Sequence, residues 1–387
     1  MRGREAPAGL TDVAIVGAGP VGATLATLLG RAGHSVRLLE AKAGPSGDAR
    51  TLALSAASHD RMDEFGAWPA AAATPIRSIH ISQRGGPGRT LIEAADQGLA
   101  ALGYTVAFSA LEASLHEAAR AAGVQMDFGA PCAGIELTDA VARVSLGSGE
   151  TVEARLLVLA DGGANVARIP GVAFIEKDYG QLAIVASVAT DRPHAGRAWE
   201  RFTPQGPMAL LPVGDRCALV WTAAPGEASR LLALDDRAFL AELQERFGDR
   251  AGRFSAPAAR AAFPLRLRLV NTPVALRTAI VGNAAQALHP IAGQGLNLGL
   301  RDAAQLADSI EAASGQIGSL PMLDAYRDAR RRDALRGAAF TDFLVSAFGD
   351  SRLLPTWGRG LALAALDVIA PARRMLAERM IHGAPTP

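Results

Sequence analysis

The sequence is poor in residues that bind metals or form disulfides. Its 387 residues include only two cysteines, Cys132 and Cys217, which lie far apart, and it has neither a Cys-x-x-Cys pair nor a histidine cluster. Structural metal sites need several such ligands at short spacings, so we predict no metal. We expect both cysteines to be buried thiols in a reducing cytoplasm.

The chain also lacks an excess of charge of either sign. It has 39 basic and 38 acidic residues, which gives a formal net charge of +1. Without a strong positive field there is no general attraction to a polyanion. We therefore expect no nucleic-acid partner.

Long apolar runs are absent as well. The opening MRGREAPAGLTD has basic residues but not the apolar core of a signal peptide. The apolar stretch GLALAALDVIA is shorter than the roughly 20 residues that cross a bilayer, and it contains Asp367. We expect a cytoplasmic protein. Its length and its 49% content of hydrophobic residues predict two or more domains with sizeable cores.

The first half of the chain alternates strand and helix patterns. A short apolar strand reaches Val16, a helix follows up to Gly33, and HSVRLLE predicts a second strand that ends at Glu40. We then predict a helix over Leu52 to Gly66 and a strand at PIRSIHIS. Later elements are a helix from Ser109 to Ala122, a strand at VQMDF, a hairpin formed by AGIEL and ARVSL, and a buried strand at LLVLA.

From Gly180 the pattern changes to amphipathic strands, which predict a separate antiparallel sheet. One helix, Asp235 to Phe247, interrupts this sheet before a last strand around Ala262 to Leu267. TAIVG returns to the pattern of a buried strand. Everything after Gln294 is predicted to be helical apart from loops near Gly315 and Gly349.

A glycine-rich fingerprint follows the first strand. Gly17, Gly19 and Gly22, with Pro20 and Val21 between the last two, have the spacing of a dinucleotide-binding turn. Such a turn presents backbone N–H groups at a helix N-terminus to a diphosphate. At the end of the second strand, Glu40 is placed to accept a hydrogen bond from a ribose hydroxyl. The fingerprint occurs once, so we predict no separate nicotinamide-binding domain of the same type.

A second motif, ADGGANVAR, closes the buried LLVLA strand. One interpretation is an ordinary turn that ends the strand. The other is that Asp161 lies beside a cofactor and that Gly162 lets the backbone pass close to it. Taken alone, this motif leaves both interpretations open.

A third motif, GNAAQALHPIAGQGLNLGLRD, follows TAIVG. Asn283 comes after the strand, and the backbone of Gly293, Gln294, Gly295, Leu296 and Asn297 offers N–H donors at the start of a helix. Such donors suit the edge of a flavin ring that becomes negative on reduction. Together with the fingerprint they indicate FAD. His289 either shapes the loop or acts as a base, and we assign it no proton transfer.

These three segments resemble the signatures of the flavin-dependent aromatic hydroxylases of the p-hydroxybenzoate hydroxylase fold. Within that group, SIHISQRG, DYGQLAIVA, ERFTPQGPMALLP and the third motif resemble the ubiquinone-biosynthesis hydroxylases that act on 2-polyprenylphenol-type intermediates. The likeness extends over almost the whole chain. It implies that Gly17, Gly19, Gly22 and Glu40 hold the ADP half of FAD and that Arg50 and Asp161 lie near the cofactor. Asn283 would lie by the ribityl chain and diphosphate, while Pro290 and Gly293 to Asn297 would line the flavin ring.

The resemblance also implies a fold and a division into domains. The fold is α/β, with a discontinuous Rossmann-like FAD-binding domain, an antiparallel β-sheet substrate domain and C-terminal helices. We predict the FAD-binding domain over residues 1–74, 98–175 and 273–345. The substrate domain would take 75–97 and 176–272, and the C-terminal helical segment 346–387.

Several positions depart from the family pattern. The second motif has Asn165 and Ala167 where relatives commonly have Ser and Val, and Asn283 replaces a frequent Asp. Asn at 283 still accepts from a hydroxyl and avoids repulsion with the diphosphate. Phe108 and Ser109 stand where the related hydroxylases commonly carry an Asn-Arg pair. This last departure puts one flavin contact in doubt.

The implied reaction uses flavin reduced by NADH or NADPH and molecular oxygen. A C4a-hydroperoxide then transfers a hydroxyl group to an electron-rich ring, so the flavin ring environment of Pro290 and Gly293 counts as catalytic and no side-chain acid or base is assigned. The strands from Gln181 to Thr222 would cover an apolar pocket for a polyprenyl tail.

Other interpretations of the chain stay open. It is alternatively a hydroxylase of a small soluble phenol, a flavin-dependent reductase, or a non-catalytic subunit of a quinone-synthesis complex. Arginines flank the apolar C-terminal stretch, namely Arg359, Arg373, Arg374 and Arg379. That segment either packs on the FAD-binding domain or contacts partner enzymes or a membrane surface.

Overall fold

The fold is described from a computed structural model that covers residues 9–48, 50–85, 89–287 and 294–331. The side chain of Gln294 is not part of this description. His289, Pro290, Gly293 and all residues after 331 lie outside it. Their expected roles, including those of the C-terminal helices and arginines, therefore stay predictions.

The first sheet has eight strands and forms the nucleotide-binding half of the fold. Its main path runs in the order β17-β18-β11-β1-β2-β8, and β1 pairs in parallel with both β2 and β11. The predicted hairpin is confirmed as β9 and β10, which extend from β11. The strands are β1 (Leu10–Val16), β2 (Val36–Glu40), β8 (Gln125–Phe128), β9 (Cys132–Leu137), β10 (Ala142–Leu146), β11 (Thr151–Leu159), β17 (Val274–Ala275) and β18 (Thr278–Ile280).

Both faces of this sheet are covered, which explains the continuous apolar runs of its central strands. Val13 and Ile15 of β1 pack with the helices, whereas Ala14 and Val16 pack with the β9–β10 side. The described helices with defined bounds are α1 (Pro20–Arg31), α2 (Ala56–Glu64), α3 (Phe108–Ala121), α4 (Pro225–Ala233), α5 (Asp236–Phe247) and α6 (Gln294–Ala312). Residues 320–331 are also helical. Within the described ranges, no helix is long and apolar enough to cross a bilayer.

The second sheet also has eight strands, in the order β19-β16-β12-β15-β14-β13-β5-β6. All its pairs are antiparallel except β13 with β5, so the sheet is mixed where the sequence predicted a purely antiparallel one. Its strands are β5 (Ser78–Gln83), β6 (Arg89–Glu93), β12 (Phe174–Thr190), β13 (Arg197–Thr203), β14 (Gly206–Val213), β15 (Arg216–Ala223), β16 (Phe254–Val270) and β19 (Gln286–Ala287).

The second sheet differs from its prediction in three further ways. The last long strand, β16, has 17 residues and reaches well beyond Ala262 to Leu267. Two helices, α4 and α5, interrupt the sheet rather than one. The short strand β19 joins it from the stretch that was assigned to the FAD-binding domain. The domain boundaries themselves stay a prediction.

The two faces of the second sheet have different environments. On one face, Trp221, Leu219 and Ile184 pack against Phe239 and Phe247 of α5. Side chains alternate along a strand, so the intervening residues lie on the opposite face. These are Val185, Ala209, Leu211 and Val220, which are only partly buried.

A third sheet of three strands packs against β14 of the second sheet and against α2, α3 and α6. It has the order β3-β7-β4 and consists of β3 (Thr51–Ser55), β4 (Ala73–Ile76) and β7 (Gly103–Ala107). Thr105 donates a hydrogen bond to the carbonyl of Pro212, which fastens this sheet to β14. The helix predicted from Leu52 was wrong in its first turn, because Thr51–Ser55 pairs with β7 and the helix begins only at Ala56.

The predicted strand PIRSIHIS is two strands in two sheets. It divides at Arg77, whose N–H donates to the Gly196 carbonyl at 2.7 Å. Ile76 belongs to the third sheet and Ser78 to the second. The chain therefore passes from one sheet to the other within this segment.

Candidate functional site

The glycine fingerprint forms a close-packed turn with one open side. Gly17 has φ +105°, and a Cβ on it would lie 2.6 Å from the Ala160 carbonyl oxygen. A Cβ on Gly22 would lie 2.0 Å from the Gly17 carbonyl oxygen, whereas a Cβ on Gly19 would meet nothing within 4 Å. Gly19 caps α1 without a side-chain hydrogen bond, and Pro20 is the first residue of that helix. The turn therefore leaves a space at a helix N-terminus that fits a diphosphate.

Glu40 holds this turn from the end of β2. Its Oε2 accepts a hydrogen bond from the Ala18 N–H at 2.9 Å, and its Oε1 accepts one from the Lys42 N–H at 3.0 Å. Each carboxylate oxygen can accept a second hydrogen bond. The predicted contact with a ribose hydroxyl is thus chemically compatible with the contacts that the structure gives.

Helix α3 contacts three segments of the site through residues spaced four apart, which lie on one face. His116 Nε2 is 2.7 Å from the Ala18 carbonyl oxygen, and Glu112 Oε2 accepts hydrogen bonds from the N–H of Ser46 at 3.0 Å and its hydroxyl at 3.2 Å. Phe108 lies under the Arg50 guanidinium, whose Cζ is 5.7 Å from the ring centroid.

Sequence reasoning missed His116 and Glu112 as residues that support the site. Their side chains are 5% and 6% exposed although both residues are polar. The available signal was that two polar residues, Glu112 and His116, are four positions apart and therefore lie on one face of the predicted helix. Their partners are distant in sequence, so the pattern did not reveal what they bind.

Arg50 lies at the site with its charge already paired. Its Nε donates to both carboxylate oxygens of Asp48, each at 2.9 Å. The hydrogen bonds from Arg50 hold the pKa of the Asp48 carboxyl below its ordinary value. The Arg50 side chain is 51% exposed, so it remains accessible to a ligand.

The second motif is a turn shaped by Asp161. Its Oδ1 accepts from the Gly163 N–H at 2.9 Å, and its Oδ2 accepts from the Asn165 N–H at 2.9 Å and the Asn165 amide at 2.7 Å. Asn165, a departure from the family pattern, thus has a clear partner. Gly162 has φ +70° and open space where a Cβ would be. The carboxylate forms the turn, and a direct contact of Asp161 with the cofactor stays a prediction.

The third motif begins with a short turn fixed by Asp302. Asp302 Oδ2 accepts from the Gly282 N–H at 2.9 Å and from Gln286 Nε2 at 2.7 Å, while its Oδ1 accepts from Arg330 Nε at 2.6 Å. Burial raises the pKa of the Asp302 carboxyl, against the opposing effect of Arg330 and the Gly282 N–H. Asn283, inside this turn, is exposed and available for a ligand.

The later part of the third motif, as far as the structure describes it, is the start of α6. A Cβ on Gly295 would meet nothing within 4 Å, and Leu296 packs partly buried against the core. Asn297 is 4% exposed. Its side-chain oxygen accepts from the Ser55 N–H at 2.9 Å and the Ser58 hydroxyl at 2.8 Å, and its amide donates to the Ala53 carbonyl at 3.1 Å. The Asn297 side chain therefore ties α6 to β3 and α2, which leaves its backbone for a cofactor.

The first and third motifs are in direct contact. A Cβ on Gly299 would lie 2.8 Å from Val21 Cγ2 and 2.9 Å from the Gly282 Cα. A Cβ on Gly282 would lie 3.0 Å from the same methyl group. The fold thus joins the diphosphate turn to the two segments predicted to carry the flavin, which fits a single extended dinucleotide.

A family model described as an FAD binding domain matches residues 10–341. The chain belongs to this FAD-binding family. FAD as the cofactor and the resemblance to flavin-dependent hydroxylases are thereby confirmed, as is the prediction of a flavoprotein monooxygenase. Within the ranges that the structure covers, no cluster of three or more metal-ligating side chains was found.

Named relatives of this FAD-binding protein match over most of the chain. Ubiquinone hydroxylase UbiL of Rhodospirillum rubrum is 36% identical, over 95% of this chain and 88% of its own. The 3-demethoxyubiquinol 3-hydroxylase of Escherichia coli is 32% identical, over 92% of this chain and 95% of its own. The human mitochondrial ubiquinone biosynthesis monooxygenase COQ6 is 27% identical, over 94% and 91% of the two chains.

Solved structures confirm the α/β fold. The p-nitrophenol 4-monooxygenase PnpA of Pseudomonas putida superposes with a TM-score of 0.78 at 19% identity, over 97% of this chain and 99% of that one. PqsL of P. aeruginosa, in complex with 2-aminobenzoylacetate, gives a TM-score of 0.76 at 24% identity, over 91% and 99%. These similarities concern the fold alone.

Proposed function

We propose that this protein is an FAD-dependent monooxygenase that hydroxylates the aromatic ring of a polyprenylated phenol or quinone precursor in ubiquinone biosynthesis. The observation that carries the proposal is the contact of Val21 with Gly282 and Gly299, because it joins the parts of one FAD site. The names of the relatives add the substrate class.

Bound FAD, reduced by NADH or NADPH, supplies the chemistry that transfers one atom of molecular oxygen to the ring. Gly17, Gly19 and Gly22 would hold the diphosphate with the N-terminus of α1, where Pro20 and Val21 set the first turn. The remaining contacts would come from Glu40, Arg50, Asp161, Gly162, Asn283, Pro290, Gly293, Gln294, Gly295, Leu296 and Asn297.

The chain's own task is to orient the ring and keep water away from it. The partly buried face of the second sheet offers apolar side chains at its centre, namely Val185, Leu211 and Val220. Ala183, Ala209 and Ala218 lie on the same face. Apolar walls exclude water from a reaction site.

A prenyl tail suits this face better than a small polar ring would. Each methylene that leaves water contributes about 0.8 kcal/mol, so a tail of several isoprene units would outweigh the binding of the ring itself. The aromatic ring would then lie toward the flavin and the tail along the sheet. A small phenol would gain little from these side chains.

The substrate of this reaction resides in a membrane. We therefore propose that the protein works at a membrane surface, or beside other quinone-synthesis enzymes, without spanning the bilayer. Co-purification with membranes or with such enzymes from gently lysed cells tests this point. Recovery of the protein as a free species, with full activity on a prenylated substrate in detergent-free buffer, would contradict it.

The decisive experiment is mass spectrometry of quinone intermediates in a strain that lacks this gene. We expect a prenylated precursor that lacks one ring hydroxyl to accumulate. Complementation with the wild-type gene should remove it, and complementation with a Gly22→Val variant, whose side chain collides with the Gly17 carbonyl, should not. An unchanged quinone profile in the deletion strain would exclude the proposed role.

A further inference from the structure

A group of basic side chains lies on the helix-covered face of the second sheet, at its β5–β6 edge. Register places Arg201 of β13 beside Ser82 of β5, and Ser82 beside Arg89 of β6, so these three side chains share one face. Two residues earlier on that face, His80 lies beside Trp199. We call Arg84, Arg89, Arg201 and Arg250, with His80 and Ser82, the basic cluster.

Arg201 is the innermost guanidinium of the basic cluster, and its contacts are with neutral groups. Its Nη1 donates to the Ser82 hydroxyl at 3.3 Å, and its Nε donates to the Arg246 carbonyl at 3.3 Å. Burial, Arg250 and Arg84 lower the pKa of Arg201 below its ordinary value. Like charges held together in a partly buried place repel one another more strongly than in water.

His80 gives an independent sign of an incomplete site. Its Nδ1 is buried and has no hydrogen-bond partner in the part of the chain that the structure describes. Burial, followed by the charges of Arg250, Arg197 and Arg89, lowers the pKa of the His80 imidazole. A buried nitrogen without a partner costs free energy, so the chain itself does not fully satisfy the polar groups beneath the basic cluster.

The carboxylates near the basic cluster, among the described residues, are exposed or already engaged. Asp249, next to Arg250 in the chain, accepts a hydrogen bond from Gln244 Nε2 at 2.9 Å. Glu245 is 3.5 Å from Arg84, but the Glu245 side chain is 74% exposed, and such surface pairs contribute little. Glu93 lies opposite Ser78, at the other end of the row. Neither Glu245 nor Glu93 forms an ion pair with Arg201 or Arg250 in the part of the chain that the structure describes. An added anion would therefore relieve the repulsion.

We propose that the basic cluster binds a phosphate group. Arg89, Arg201 and Arg250 would surround the phosphate oxygens, beside the buried Ser82 and the partly buried His80. Guanidinium forks match the geometry of a phosphate oxyanion and carry charge at every working pH, which favours phosphate over a carboxylate. The site lies on the opposite face of the sheet from the proposed substrate face, so it is separate from the hydroxylation site.

The phosphate has two possible sources, a free phosphate ion and the headgroup of an anionic lipid. The test uses the FAD-loaded full-length protein. Inorganic phosphate is titrated while its own ³¹P signal is followed, and flotation is measured with vesicles of phosphatidylcholine that contain phosphatidic acid. Arg250→Ala and Arg89→Ala remove exposed side chains, so both variants should fold, and Arg237→Ala, which removes an exposed arginine of α5, is the matched control.

Saturable broadening or shift of the phosphate signal is expected for the wild type and the control. Its affinity should fall about tenfold in each variant, because a charge-assisted contact is lost. Flotation that the same variants abolish would assign the site to a lipid headgroup, and phosphate binding without flotation would assign it to the free ion. Absence of phosphate binding, or binding that both variants leave unchanged, overturns the proposal.

Discussion

Val21 and Gly299 meet so closely that no side chain fits between them. A Cβ on Gly299 would lie 2.8 Å from the Val21 Cγ2 methyl group and 2.9 Å from the Gly282 Cα. Gly299, in the second turn of α6, is thereby tied to the diphosphate turn at the start of the chain. Several measurable consequences depend on contacts of this kind around the FAD site.

Gly299→Ala should loosen the FAD site. Because the new methyl group meets backbone at Gly282 as well as Val21, the helix must shift, at a cost of about 1 to 3 kcal/mol in the free energy of unfolding. We expect weaker FAD binding and a lower Tm, measured by FAD fluorescence titration and thermal unfolding. Gly226→Ala is the control, because a Cβ there meets nothing within 4 Å. Equal FAD affinity in both variants would argue against the contact.

Glu40→Ala should weaken FAD binding more than Glu40→Gln does. Alanine leaves the Ala18 and Lys42 N–H groups without their acceptor, whereas glutamine keeps one acceptor oxygen. Hydrogen bonds to a charged group contribute about 1.5 to 3 kcal/mol, which corresponds to a loss of affinity of roughly tenfold or more for alanine. Equilibrium dialysis with FAD measures both variants. An alanine variant with wild-type affinity would show that the turn holds its shape without Glu40.

His116→Leu should reduce FAD affinity with little loss of the fold. Leucine keeps an apolar body against Phe128, whose ring centroid is 5.3 Å from that of His116, but it cannot donate to the Ala18 carbonyl. We expect a several-fold higher Kd for FAD, with His116→Gln intermediate between leucine and the wild type. Far-ultraviolet circular dichroism should be unchanged. A leucine variant that has lost its secondary structure would instead show that His116 serves the core alone.

Removal of Asp302 alone should destabilise the protein more than removal of Asp302 and Arg330 together. The two side chains form a buried ion pair, and a single change leaves the other charge buried without it. Breaking such a pair costs about 3 to 5 kcal/mol, whereas an apolar replacement of both partners is often close to neutral. Urea unfolding of Asp302→Asn and of Asp302→Asn/Arg330→Met compares the two cases, because asparagine keeps an acceptor oxygen for Gly282 and Gln286 in both variants. A double variant less stable than the single one would contradict this account.

Stability should fall between about pH 9 and pH 11 because of Cys217. Burial raises the pKa of this thiol from its ordinary value of 9.0 to about 11. A raised folded-state pKa means that the protonated thiol stabilises the fold below the unfolded pKa and that this contribution, on the order of 2 kcal/mol, is lost as the pH rises toward 11. Cys217→Ala should show a shallower decline than the wild type in urea unfolding across this range. Cys132→Ala should flatten the decline less than Cys217→Ala, because burial also raises the pKa of the Cys132 thiol but this side chain is only half-buried.

The local features of the FAD site were accessible from the sequence. Glycines at fixed spacing after an apolar strand predict a turn and a helix whatever the rest of the chain does, and Gly17 and Gly22 have the close contacts that this pattern requires. The order of strands and helices in the first sheet followed from similar local signals. These predictions need no knowledge of distant partners.

The parts of the fold and of the FAD site that the sequence did not predict depend on contacts between residues far apart in the sequence. Ala18 and His116 are 98 positions apart, and Asn297 is more than 230 positions from the serines that engage its side chain. Nothing in a single sequence records such pairs. For the same reason the segment LALS was assigned to a helix, since only its pairing with β7 makes it a strand. The exposure of Cys132, expected to be fully buried, likewise depends on the surroundings of β9.

The short strand β19 has a consequence for how this chain can be divided. Gln286 and Ala287 hydrogen-bond to the edge of β16, although they follow the predicted boundary at residue 272. A fragment that stops at that boundary would leave Arg268 and Leu269 of β16 without these strand partners, and bare strand edges promote aggregation. Chimeras with related enzymes should therefore carry residues 286 and 287 together with the second sheet.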